Sequence, residues 1–127
     1  MTVKKLFEMA LDLLGERRKD GSFSDNSVYL SSRTLTAVNQ VLAELSSAQA
    51  RLSGESFIFL PVTADNDEIV LDDRLLYAAA PSGIASVLML GEDDDRYASY
   101  RLLFEKALAG ALRSAKAVNL EIRDIYS

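Results

Sequence analysis

Carboxylates are the side chains in this sequence whose type and spacing come nearest to chemistry, and they collect in two places. Asp65, Asn66, Asp67 and Glu68 offer oxygens that a hard divalent cation could bind, and Glu92, Asp93, Asp94 and Asp95 form a second acidic run. A calcium loop of the EF-hand kind starting at Asp65 would need glycine at its sixth position, where Val70 stands, and a bidentate glutamate at its twelfth, where Leu76 stands. The first cluster therefore reads as a turn. The second reads as a helix start, where acids are favoured by the macrodipole. Glu92 with Asp95, and Glu121 with Asp124, have the Glu-x-x-Asp spacing of metal-dependent helical hydrolases. The second pair, however, falls on strand-like alternation and loses the shared helix face that such chemistry needs. Tyr97 and Tyr100, beside Arg96 and Arg101, could stack single-stranded nucleic acid, but their helical spacing assigns them to a core stripe.

The rest of the catalytic repertoire is short. Among 127 residues there is no Cys and no His, which removes thiol nucleophiles, disulfides, imidazole bases and the usual zinc ligands. No G-x-x-x-x-G-K-[ST] or G-x-G-x-x-G segment is present to cradle phosphates. Ser56 follows Gly54 by two residues but has no glycine two residues on, and no serine is followed by Lys three positions later, so neither a nucleophile elbow nor a Ser-x-x-Lys arrangement occurs. The expectation is a protein without catalytic residues, metal site or cofactor, and without enzymatic activity. With 14 Lys and Arg against 19 Asp and Glu, the formal charge of -5 also opposes non-specific attraction to nucleic acid.

A chain of this length, 49% hydrophobic and 26% charged, has the composition of one folded domain and no room for two cores. Its longest apolar stretch, around Tyr77 to Leu90, is broken by Pro81, Ser82, Gly83 and Ser86, short of the roughly 20 apolar residues a membrane span needs. Met1 to Lys5 leads into an amphipathic pattern containing Glu8 and Asp12, and an intracellular location is expected.

The elements that must hold these residues are mostly helical. Val3, Leu6, Phe7, Ala10, Leu13 and Leu14 recur at steps of three and four and predict a helix over about 3–17, followed by a turn-rich loop to Asn26. Val28, Leu35, Val38, Leu42, Leu45 and Leu52 predict a second over about 27–52, with Asn26 or Ser27 as its cap, ended by Gly54. Asp72 and Asp73 cap a third over about 72–90, in which Pro81 should force a kink or restart. Asp93 to Asp95 open a fourth over about 93–117, whose stripe is Tyr97, Tyr100, Phe104, Ala107, Leu108, Ala111 and Ala115. Leu6, Leu14, Leu35, Leu42, Leu88, Phe104 and Leu108 should share one core.

Between the second and third helices, Phe57 to Val62 and Ile69 to Leu71 are β-prone runs flanking turn residues, and they predict a β-hairpin arm over 56–71 with Pro61 marking an exposed edge. Val118, Leu120 and Ile122 alternate with Asn119, Glu121 and Arg123, predicting an extended tail over 118–127. The expected fold is thus mainly α (α+β): a single four-helix domain with a β-hairpin arm and an extended carboxyl-terminal tail. Arm and tail carry apolar side chains that a small domain cannot easily cover alone. Phe57, Phe59, Val62 and Ile69 of the arm, and Leu120, Ile122, Ile125 and Tyr126 of the tail, are the candidate interface residues.

The block Leu75, Leu76, Tyr77, Ala78, Ala79, Ala80, Pro81, Ser82, Gly83, Ile84, Ala85, followed by Leu88, Met89, Leu90 and the acids Glu92 to Asp95, resembles a recurring block of the head–tail connector, or adaptor, proteins of tailed phages and prophages. In that block a proline, an aromatic, a glycine and an alanine interrupt an Ala/Leu-rich helix that turns at acids into a long terminal helix. Pro81, Gly83 and Ala85 match, and Ser82 stands where the aromatic would be. The order of elements agrees over nearly the whole chain. The resemblance implies a virion structural protein, present in the bacterial cytoplasm during assembly, that forms a homo-oligomeric ring of twelve under the portal. Its partners would be copies of itself, the portal protein and a stopper or tail-completion protein, with DNA passing through the ring without sequence-specific binding and with no membrane involved. Two other classes compete: a small helical metal-dependent hydrolase using carboxylates, and a regulatory or antitoxin-like dimer.

Overall fold

Ala80–Met89 has no charged residue, and the hydroxyls of Ser82 and Ser86 bond back to the carbonyls of Ala79 and Gly83, so this helix can be surrounded on every side. In a computed structural model, which describes residues 1–126 and the side chains through Ser114, every residue from Ala80 to Met89 is buried. This central helix, α4, is packed by α1 (Val3–Leu13), α3 (Thr34–Ser53) and α5 (Asp94–Tyr126), with α2 (Asp25–Ser31) between the first and third. The protein is mainly helical and contains no sheet among the described residues.

α1 begins where the Thr2 hydroxyl accepts the N–H of Lys5 at 3.1 Å. It stops at Leu13, not near residue 17, because Gly15 takes the left-handed conformation at φ +75°. There the N–H of Gly15 bonds the carbonyl of Asp12 and that of Glu16 bonds the carbonyl of Leu11, the paired closure of a Schellman end.

The single second helix expected over 27–52 is two helices. Around the break, the hydroxyls of Ser31, Ser32 and Thr34 each donate to the carbonyl three residues back, at 2.6, 2.8 and 2.9 Å. Such local bonding competes with helical continuity. Arg33, at the break, reaches across to the end of α4 and donates to the carbonyls of Leu88 and Val87 at 3.0 and 3.2 Å.

Before α4 the backbone widens into a π-helical turn over Arg74–Ala79, in which the N–H of Ala80 bonds the carbonyl of Leu75. The Asp72 carboxylate starts this segment by accepting the N–H of Arg74 at 2.9 Å. A widened turn accommodates Pro81, which has no N–H to donate and crowds the carbonyl four residues back. The expected restart at Pro81 takes this form.

The β-hairpin arm predicted over 56–71 is not formed. Neither run is a strand, and where they are hydrogen-bonded the partners lie in other elements. Asn39 of α3 accepts the N–H of Val62 at 2.7 Å and donates to its carbonyl at 3.0 Å, and the Gln49 side chain accepts the N–H of Asp72 at 2.7 Å. The second run bonds the amino-terminal segment, with Ile69 N–H donating to the carbonyl of Met1 and an isolated bridge between Thr2 and Glu68. A two-stranded ladder has little stability of its own, and the side-chain amides of Asn39 and Gln49 tie the chain to α3 at Val62 and Asp72 without bringing the two runs together.

The predicted extended tail is also corrected, since α5 is a 33-residue helix that continues through Tyr126. Ala115, Lys116, Ala117, Leu120, Glu121 and Arg123 are good helix formers, and no Gly or Pro follows Gly110. Val118, Ile122 and Ile125, spaced by four and three, satisfy a helical period as well as the short alternation that suggested a strand. Within the core Leu6, Leu14, Leu42, Leu88 and Phe104 are buried, with Leu35 and Leu108 packed against them half-buried.

Candidate functional site

The acidic clusters are built into the fold. The Asp67 carboxylate accepts the N–H groups of Thr63 and Ala64 at 2.8 and 3.1 Å, and the Thr63 amide bond above all holds its carboxyl below the usual range. The Asp65 carbonyl accepts the N–H of Lys4, and the Glu68 carboxylate pairs with the Met1 amine at 3.0 Å. Asp93 caps α5, its carboxylate accepting the N–H of Arg96 at 3.1 Å. Glu92 accepts a hydrogen bond from the Tyr29 hydroxyl at 2.8 Å, which raises the phenol's pKa. Among the described residues, no group of three or more acids is placed to hold a metal ion. The side chains of Glu121 and Asp124 lie outside the described residues.

Tyr97 and Tyr100 are half-buried against the core. The Tyr100 hydroxyl donates to the carbonyl of Leu13 and the Arg96 guanidinium to that of Leu14, so this pair closes the carboxyl end of α1 from α5. Arg101 pairs with Glu44 of α3 at 2.7 Å and lies over the ring of Phe104 at 5.0 Å. These side chains join helices.

The apolar surface is where the fold leaves something unused. In the arm, Phe57 and Phe59 lean half-buried on the core, while Val62 and Ile69 are buried. Their sequence neighbours Ile58, Leu60 and Val70 face water, at 79%, 76% and 83% exposed. The two runs flank a cleft of about 210 Å³ that also touches Leu42. Of the tail candidates, Leu120, Ile122, Ile125 and Tyr126 sit on the helical backbone of α5, with side chains outside the described residues.

A second apolar surface was not singled out from sequence. Leu13, Tyr77 and Leu103 are each about half exposed and line a groove of about 640 Å³ between α1, the π-helical turn and α5, with Pro81 and Ala107 in its lining and Asp12 and Lys106 contributing charge. Asp12 is held by Arg17 at 2.6 Å, which lowers its pKa. Two signals for this groove were present in the sequence. The doublet Leu102 and Leu103 lies off the buried stripe of α5, and Tyr77 is a bulky residue beside the run of alanines before Pro81.

No family model, no curated protein and no solved structure matches the chain. No helix among the described residues is long and apolar enough to cross a membrane.

Proposed function

We propose that this chain is a non-catalytic structural protein that assembles with copies of itself into a ring, joining the portal of a phage or prophage head to the stopper or tail-completion protein. One observation carries the reading. The core closes around α4, yet large apolar side chains stay uncovered on two surfaces built from different elements: the arm, with Ile58, Leu60 and Val70, and the groove, with Leu13, Tyr77 and Leu103. Contiguous uncovered apolar surface on a folded domain marks an interaction site. Two unlike surfaces suit head-to-tail association, in which one surface of each copy meets a different surface of the next until the rotation closes a ring.

The resemblance of the segment from Leu75 to Asp95 to adaptor proteins supplies the partners and the ring of twelve. The use of Asp67, Glu68 and Asp93 as caps and staples supports a role without catalysis. DNA would traverse the opening without sequence-specific contacts, and the protein would reside in the virion after assembly in the bacterial cytoplasm. The test is to combine the purified chain with the portal protein encoded beside it and image the mixture by negative-stain microscopy. Rings seated on the portal support the reading. A chain that stays monomeric, or that hydrolyses nucleotides with a divalent metal and loses this on Asp94→Asn, overturns it.

A further inference from the structure

The run Phe57 to Leu60 alternates half-buried and exposed residues with the period of a strand, and its backbone is open. Hydrogen bonding stops at Glu55, which is held by the Ser53 hydroxyl, and resumes at Val62, held by Asn39. Between them, no N–H or C=O of Phe57, Ile58, Phe59 or Leu60 is bonded among the described residues. Val70 and Leu71, across the cleft, are likewise without backbone partners. Extended backbone with donors and acceptors exposed on an edge is matched by another extended strand. The run is also held in place, because Phe57 and Phe59 anchor it on the core while Ile58 and Leu60 are turned outward. Little ordering cost remains for a strand that docks there.

We propose that the Phe57–Leu60 run of one copy of this chain pairs as a β-strand with the Val70–Leu71 edge of a second copy. The inference rests on the ring-forming reading above and names the contact by which neighbouring copies meet. Charge selects a copy of this chain as the occupant. Ser56 to Ala64 contains no charged residue, and neither does Ile69 to Leu71, although the whole chain carries -5. This is a stretch where identical acidic molecules can lie side by side without setting like charges opposite each other. Because the two edges differ, each copy keeps one free after pairing, which is the requirement for propagation around a ring. Pro61, lacking an N–H, ends the ladder and limits the edge to a short strand.

The experiment uses the full chain, with Leu60→Lys and Val70→Glu as separate variants. Both side chains are exposed, so thermal midpoints should match the parent, and Leu60→Gln and Val70→Thr serve instead if a charged variant fails to fold. Sedimentation should show each charged variant at least tenfold weaker in self-association than the parent. The two mixed should recover association, because the lysine edge of one meets the glutamate edge of the other. In the assembled parent, alternate amides of Phe57 to Leu60 should be slow to exchange hydrogen. Parent rings with fast-exchanging arm amides, or variants that assemble like the parent, overturn the strand contact and leave the ring standing. A parent closing as a dimer, with the amides protected and the mixture rescued, overturns the ring and keeps the strand. A parent that is monomeric at every concentration overturns both.

Discussion

A methyl group on Gly83 would lie 2.8 Å from Cδ2 of Phe104 and 3.2 Å from Cγ1 of Val41. α4 and α5 therefore meet at a glycine, with the Phe104 ring laid over the backbone of the central helix. Gly83→Ala improves intrinsic helix propensity by about 1 kcal/mol, yet it overpacks a site with no slack. The expected outcome is a net loss of about 1 to 2 kcal/mol, read as a lower denaturant midpoint. Adding Phe104→Leu to the alanine variant should cost less than Phe104→Leu costs the parent.

Arg33 closes the carboxyl end of the buried α4, donating to the carbonyls of Leu88 and Val87. Arg33→Ala leaves those acceptors short of a charged donor, and a loss of about 1.5 to 3 kcal/mol is expected. Arg33→Lys should recover only part of it, since an ammonium cannot reproduce the fork. Chemical denaturation of the three proteins decides this.

Asp67 and Asp72 both have carboxyls held below the ordinary range, Asp67 chiefly by the Thr63 amide and Asp72 chiefly by the Arg74 guanidinium. The unfolded chain therefore takes up these protons first as pH falls, so the stability they contribute is complete above the ordinary carboxyl value of about 3.9 and is lost below it, as pH drops through their folded values. With no histidine in the sequence, no imidazole titrates near neutrality. The thermal midpoint should be flat from about pH 5.5 to 8 and decline below about pH 4. Asp67→Asn and Asp72→Asn should each make that decline shallower.

The groove by Tyr77 offers a separate check on assembly. Tyr77→Ser and Leu103→Gln alter side chains that are 58% and 51% exposed, so monomer stability should move by no more than about 0.5 kcal/mol. Association with the portal or between copies should weaken at least tenfold if this surface is used. Unchanged association in light scattering would remove the groove from the interface.

Helix faces were legible because the period of apolar residues is a local property, and Leu6, Leu42, Leu88 and Phe104 lie in the core as their spacing demands. The end of α1 was also written in the sequence, at Gly15, but an apolar stripe running through Leu13 and Leu14 masked it. The arm could not be read in full. Alternation along Phe57, Ile58, Phe59 and Leu60 is visible locally, whereas the decision to bond Val62 to Asn39, rather than to the second run, depends on residues 23 positions apart. For residues 118–122, three apolar residues at alternate places fit a strand and a helix alike, and the helix formers around them decide. The groove needed three elements brought together before Tyr77 and Leu103 could be seen as neighbours.

The π-helical turn over Arg74–Ala79 holds one residue more than an α-helical path would need. Deleting the exposed Ala78 would remove that surplus and leave an ordinary α-helical turn, with Asp72 before it and α4 after it still in register. What the surplus residue spares is Pro81, which an unbroken α-helix would press against the carbonyl four residues back. A lineage could therefore gain or lose one codon here without re-aiming the arm, provided that the proline went with it.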